Sequence, residues 1–266
     1  MNAWAPRSPC TSACVTAALP AVPGRTAALR AARLATVLTR ALPSAPDDLP
    51  SLSRALLQAL DVTLDTGGPG EGLSVAGEAG TLVVANHVSW LDVPVLLALE
   101  PVTMLAKQEV EGWPVIGGLA RRAGTRFIDR DGLWSLPGTV AELAGLLRAG
   151  TSVMAFPEGT TRCRVPGTLH RAVFQAALDA GAPIRPVTLT YRQGHSPSTL
   201  AAYVGTDPFT LSLRRVLSAA DLTVHVRVHP PLHPSPSDTR RALALRAASL
   251  LSPDGPAPAH LVPVAG

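Results

Sequence analysis

From Thr81 onward the chain alternates short apolar, β-branched runs with longer stretches of helical periodicity, and this alternation restricts the fold more than any other feature. Runs at 81–85, 102–106, 125–128, 152–156 and 184–191 read as strands; those at 92–99, 114–122, 135–148 and 168–180 read as helices. A helix between two strands carries the chain back to the starting edge of the sheet, so successive strands pair in parallel. The expectation is one α/β domain with a largely parallel central sheet flanked by helices. A last strand, 222–228, puts Val224, Val226 and Val228 on one side and Thr223, His225 and Arg227 on the other. A helix at about 239–251 closes the domain.

Ahead of Thr81 the pattern is looser. Residues 1–24, rich in Pro, Ala and Ser, read as a disordered tail, as do the Pro/Ala-rich residues 252–266. Between them lies the expected domain, 25–251, opening with N-terminal helices in 25–60. Residues 25–42 have helical spacing, with Arg25, Arg33, Thr36 and Arg40 on one face and Ala27, Ala31, Leu34, Ala35, Leu38 and Leu42 on the opposite one. Such an amphipathic helix suits either a bilayer surface or the flank of its own domain. After a short helix at 52–60, the glycine-rich stretch 66–70 reads as a turn between two short edge strands.

In an open α/β sheet, chemistry collects at the carboxyl ends of the strands. Asn86-His87-Val88-Ser89-Trp90-Leu91-Asp92 follows the first strong strand. Five residues apart on one helix, His87 and Asp92 would diverge; across a strand-to-helix turn, with Asp92 near the helix N-cap, they meet. Phe156-Pro157-Glu158-Gly159-Thr160-Thr161-Arg162 follows another strand and supplies a carboxylate, a flexible glycine and two hydroxyls, although a plain capped turn would read the same way. Lys107, the only lysine, and Arg130 end two further strands. A base beside two cations makes a place for an anion such as phosphate.

Four ordered blocks resemble the 1-acylglycerol-3-phosphate acyltransferases of the glycerophospholipid acyltransferase superfamily: NHVSWLD (86–92, the HxxxxD block), GTRFIDR (124–130), FPEGTTR (156–162) and APIRPVTLTY (182–191). Lys107-Gln108-Glu109, with Pro114 and Gly117, matches the segment before the second block, and the resemblance spans roughly residues 50–230. It implies transfer of a fatty acyl group from acyl-CoA or acyl carrier protein to a lysolipid hydroxyl, without a covalent acyl-enzyme. His87 would be the general base and Asp92 its orienting partner. Lys107 and Arg130 would hold the acceptor's phosphate, and Glu158, Gly159 and Thr160 would help bind the acceptor. The implied acceptor is 1-acylglycerol-3-phosphate, giving phosphatidic acid in phospholipid biosynthesis. Thr161 departs from the Glu-Gly-Thr-Arg that many lysophosphatidate acyltransferases carry, and Glu-Gly-Thr-Thr also occurs in relatives that acylate lyso-ornithine lipid. That acceptor is the alternative; a non-catalytic lipid-binding protein on the same fold is the second.

Composition narrows the rest. The net charge of +4 and pI near 9.5 suit an anionic membrane surface or an acidic substrate. Aromatic residues are only 4% of the chain, which gives little for stacking on nucleic acid. No apolar run reaches the ~20 residues of a membrane span; residues 91–106 are interrupted by Asp92, Pro94, Glu100 and Pro101. Peripheral attachment at the cytoplasmic face of the cell membrane is therefore expected. Cys10, Cys14 and Cys163 form neither a disulfide framework nor a CxxC pair, so reduced thiols, no metal and no cofactor beyond the acyl donor are expected. His225 and His229, four apart, lack an evident third ligand. There is no GxSxG elbow, P-loop or GxGxxG.

Overall fold

The computed structural model describes residues 8, 10–16, 20–41, 48–68, 72–112, 116–128, 136–163, 167–204 and 207–251. Its elements, in chain order, are α1 (Gly24–Ala41), α2 (Leu49–Leu60), β1 (Val62–Asp65), β2 (Leu82–Ala85), α3 (Asp92–Leu99), β3 (Thr103–Lys107), α4 (Gln108–Glu111), α5 (Ile116–Arg122), β4 (Arg126–Ile128), α6 (Leu136–Arg148), β5 (Val153–Ala155), α7 (Ala172–Ala180), β6 (Ile184–Gln193), β7 (Ser196–Pro197), α8 (Phe209–Ser218), β8 (Leu222–Val228) and α9 (Arg240–Leu251). The strands form one eight-stranded sheet in the order β1-β8-β6-β2-β5-β3-β4, with β7 paired to β6 off that path.

The pairings β6–β2, β2–β5, β5–β3 and β3–β4 are parallel, as the alternation requires. β8 lies antiparallel to β6, so the sheet is mixed at that side. The stretch 66–70 does not join two edge strands. β1 is the edge, it pairs in parallel with the distant β8, and β2 lies in the middle of the sheet. A parallel partner remote in sequence leaves no local turn signal.

Helices cover both faces, which is why β2 reads as an unbroken apolar run. Val83 and Ala85 face a core shared with Leu57 and Leu60 of α2, Leu96 of α3 and Val216 of α8. Leu82 and Val84 face a second core with Leu143 and Leu147 of α6, Phe174 of α7 and Leu243 of α9. β8 keeps its alternation, with Val224 and Val226 buried in the first core and Arg227 exposed.

α1 docks on its own domain, against α2 and α8. Its inward stripe includes an arginine. Arg30 is 3% exposed, pairs with Asp61 just past α2, and donates to the carbonyls of Leu217 (3.1 Å) and Ala219 (2.5 Å) at the end of α8. Those carbonyls are the partnerless negative end of a helix, a suitable seat for a guanidinium. Ala35, placed on the apolar face by spacing alone, is exposed, as is Leu29. The amino-terminal segment also departs from a loose tail. Ser12–Cys14 forms a 3-10 turn, Cys10 is buried, Ala21 bridges to Ala219, and the Thr16 N–H donates to Thr199 Oγ1 (3.0 Å). Residues 252–266, the other expected tail, lie outside the described residues.

Candidate active site

β2, β5, β3 and β4 are neighbours and run in parallel, so their carboxyl ends share one edge of the sheet. His87 leaves the end of β2, the Glu158 loop leaves β5, and Lys107 is the last residue of β3. Arg130, expected beyond β4, lies outside the described residues, as do Trp113 and Pro114.

The turn after β2 starts with a side chain imitating a peptide. Asn86 donates through Nδ2 to the Leu189 carbonyl (2.9 Å) and accepts the Leu189 N–H at Oδ1 (2.7 Å). This continues the β2–β6 pairing beyond Ala85 and fixes where the chain departs from the sheet. His87 then stands with Nδ1 2.9 Å from Asp92 Oδ2. The same oxygen accepts the N–H groups of Val88 (2.7 Å) and Ser89 (2.8 Å), and Oδ1 accepts the Tyr191 hydroxyl (2.5 Å). Asp92 is therefore not an N-cap. It is the first residue of α3, Leu91 is the cap, and the carboxylate turns back to close the preceding loop. Four donors converge on a side chain with 0% exposure, which holds the charge without water.

With Nδ1 donating to Asp92, the lone pair of His87 is on Nε2, and the ring is 21% exposed. Phe156 stacks on the imidazole at 3.9 Å between centroids and 15° between planes. The His87 carbonyl accepts the Arg162 N–H (2.7 Å), and the Val88 carbonyl accepts the Tyr203 N–H (3.0 Å). Base, carboxylate and backbone are thus held from three sides, by β6, the post-β5 loop and the segment around Tyr203. Burial and the adjacent Asp92 charge raise the Tyr191 hydroxyl well above its ordinary pKa, so it remains a donor.

The Phe156–Arg162 loop is ordered differently. Gly159 has φ +71°, a conformation glycine adopts without a Cβ clash. Glu158 points inward: its side chain is 1% exposed. It accepts the Gly167 N–H at 3.3 Å, and Arg162 Nε lies 3.3 Å from Oε2, near enough for charge pairing but outside hydrogen-bond geometry. Among the described residues Oε1 accepts no hydrogen bond. Burial dominates and pushes the carboxyl pKa up to about 7, against the opposing pull of Gly167, Arg162 and the His87 backbone. Glu158, expected to help bind the acceptor, is a carboxyl buried beneath the loop. Gly159 is buried too, and Thr160 is half-buried. Thr161 donates its hydroxyl to the Tyr203 carbonyl, so it braces the wall of the site, and Arg162 is turned back toward Glu158.

Sequence reasoning did not assign roles to Asn86, Phe156 or Tyr191, although each lies in one of the quoted blocks; their partners Leu189, His87 and Asp92 lie in segments remote in sequence. Ser89 is fully buried and its Oγ accepts the Leu91 N–H (3.2 Å), which suits a brace and not a nucleophile. Trp90 is bound to α8, through Nε1 to Ser212 Oγ (3.1 Å) and edge-on to Phe209, so it is a packing residue. His225 and His229 do not share a site: His225 pairs with Asp65 (2.8 Å), while buried His229 meets Thr188 Oγ1 (2.8 Å). The cysteines, scattered in sequence, come together. The sulfurs of Cys10, Cys14 and Cys163 all lie within 4.8 Å of one another, directly after the Glu158 loop.

A family model described as Acyltransferase matches residues 71–190, a span containing His87, Asp92, Lys107 and Glu158. The chain is 40% identical over 177 residues to a lyso-ornithine lipid O-acyltransferase of Pseudomonas aeruginosa, covering 65% of this chain and 68% of that protein. It is 36% identical over 177 residues to a 1-acyl-sn-glycerol-3-phosphate acyltransferase of Neisseria meningitidis, covering 66% and 68%. Among solved structures it resembles the 1-acyl-sn-glycerophosphate acyltransferase PlsC of Thermotoga maritima in fold, with a TM-score of 0.53, 18% identity, and 82% and 84% of the two chains covered. The buried His–Asp pair at a parallel strand end and these matches lead to one conclusion: this chain is a member of the acyltransferase family.

Proposed function

We propose that this protein transfers a fatty acyl group from acyl-CoA or acyl carrier protein to the hydroxyl of a lysolipid, with 1-acylglycerol-3-phosphate as acceptor and phosphatidic acid as product. The observation that carries the reading is His87 Nδ1 at 2.9 Å from a fully buried Asp92. Nε2 takes the proton of the acceptor hydroxyl as its oxygen attacks the thioester carbonyl. The tetrahedral intermediate collapses by breaking the C–S bond, and the imidazolium returns the proton to the leaving thiolate. Asp92 holds the ring and balances the imidazolium charge, as a carboxylate does in a triad. Lys107, at the end of β3, and Arg130, two residues past β4, supply positive charge for the acceptor's phosphate. Gly159 and Thr160 line the acceptor side, with Glu158 setting the loop from below.

A second acceptor, lyso-ornithine lipid, is favoured by Thr161 and by the 40% identical relative that carries that name. Bracing of Thr161 against Tyr203 leaves Arg162 engaged with Glu158 and removes one cation from the acceptor side. No helix among the described residues is long and apolar enough to cross a membrane. Contact with lipid is proposed at the surface, at the cytoplasmic face, where exposed Leu29, Arg25, Arg33 and Arg40 of α1 meet anionic headgroups.

The test is a panel. Purified protein is incubated with labelled oleoyl-CoA and, in parallel, lysophosphatidate and lyso-ornithine lipid, alongside His87→Ala. Diacyl product from either acceptor, reduced by roughly 10²–10⁴-fold in the variant, is the expected result. Free fatty acid without acceptor would instead make the protein a thioesterase. Lipid binding without turnover in either form would make it a binding protein.

A further inference from the structure

Outside the catalytic pair, the densest group of reactive side chains is the thiol cluster. Cys10 and Cys163 are 6% and 4% exposed, and Cys14 is half-buried. The three sulfurs lie within 4.8 Å of one another, although 149 or more residues separate Cys163 from the other two in sequence. Sulfurs bound tetrahedrally to one zinc ion at ~2.3 Å stand about 3.8 Å apart, so the cluster needs to contract by at most about 1 Å to hold one. All three are thiols, and the Cys163 N–H donates to Cys10 Sγ at 3.2 Å. Among the described residues, this is the only group of three or more His, Cys, Asp or Glu whose ligand atoms could share a metal ion.

The chemistry of the surroundings favours a soft cation. Thiolate sulfur is the ligand class that a d¹⁰ ion such as Zn²⁺ prefers, and binding the ion takes the protons from the thiols. Three thiolates around Zn²⁺ carry a net charge of −1, which Arg162 offsets.

We propose that Cys10, Cys14 and Cys163 form a thiolate site for one zinc ion, stapling the amino-terminal segment to the loop that carries Glu158 and Arg162. The bond count is simple: Zn²⁺ binds three sulfurs and the thiols lose their protons to solvent. No redox partner is needed. The ion lies behind the catalytic loop, so its part is to hold that loop in place.

The full chain, purified under reducing conditions and stripped with a chelator, is titrated with Zn²⁺ and Co²⁺. One zinc retained per chain after dialysis, a thiolate-to-cobalt charge-transfer band, and a zinc-dependent rise in Tm are expected. Cys14→Ser, at the half-buried position, lowers zinc affinity by about tenfold or more, and Cys10→Ser abolishes the cobalt band. Cys163 is left intact because it adjoins the catalytic loop. Three results each overturn the proposal: no zinc retained by folded wild-type protein; zinc binding unchanged in both variants; or loss of two thiols to a Cys10–Cys163 disulfide in chain that binds no metal even after reduction.

Discussion

Two carboxylates stand just beyond the carboxyl ends of the adjacent parallel strands β2 and β5, and the fold treats them in opposite ways. Asp92 receives four donors, the imidazole of His87 among them; Glu158 receives one long backbone bond, an off-axis guanidinium and, at Oε1, no hydrogen bond among the described residues. Both are shielded from water, with side chains 0% and 1% exposed. Burial alone therefore does not decide the charge of a carboxyl; the number and direction of donors do. The well-supplied side chain is suited to stabilise an imidazolium during turnover. The poorly supplied one is a proton-binding strut whose state follows the surrounding pH.

Of changes to these two carboxylates and their donors, Asp92 to Asn should have the largest effect. The amide keeps the size but lacks the charge, and its NH₂ group faces N–H donors. The expected fall in kcat is about tenfold less than in His87→Ala, measured under saturating acceptor, because a base without its orienting carboxylate still functions. A variant as active as wild type would remove Asp92 from the mechanism.

Glu158→Gln tests the other side through stability. A carboxyl whose pKa is higher folded than unfolded binds its proton more tightly in the native state. Its contribution to stability therefore falls as pH rises from the ordinary 4.5 and is fully lost above about 7. The difference is about 3 kcal/mol at the conversion of one pKa step to free energy. Urea unfolding from pH 4 to 8 should show this component in wild type and not in Glu158→Gln. Equal slopes in the two proteins would mean that Glu158 is as well supplied with donors as Asp92.

Tyr191→Phe removes one of the four donors to Asp92. Hydrogen bonds to charged groups are worth roughly 1.5–3 kcal/mol, so kcat should fall by about tenfold to a hundredfold, with KM little changed. A rise in KM without a change in kcat would move Tyr191 from the catalytic carboxylate to the acceptor.

Much of the sheet was legible because apolar period and length are local properties: β2, α3 and β8 appear within a residue of where the pattern places them. α8 was not anticipated. Its inner stripe uses Ser212 and Val216, with Arg214 and Arg215 between them, and its burial depends on Trp90 donating to that serine. Arg30 was also invisible as an inward residue, since only the end of α8 gives a guanidinium a reason to be buried. Within the site, His87 and Asp92 were legible from their spacing and place. Tyr191 and Asn86 were not, because the partner of each, Asp92 in α3 and Leu189 in β6, lies about a hundred residues away in sequence.

By itself, the sequence determined the alternating α/β plan and the placement of a base, a carboxylate and a lysine at strand ends. Periodicity and chain direction settle those before any long-range contact forms. The tertiary structure alone decided which carboxylate is supplied with donors, which arginine turns inward, and that three distant cysteines meet. Those outcomes depend on distances between segments far apart in the chain, and hydrogen bonds and desolvation act only at such distances.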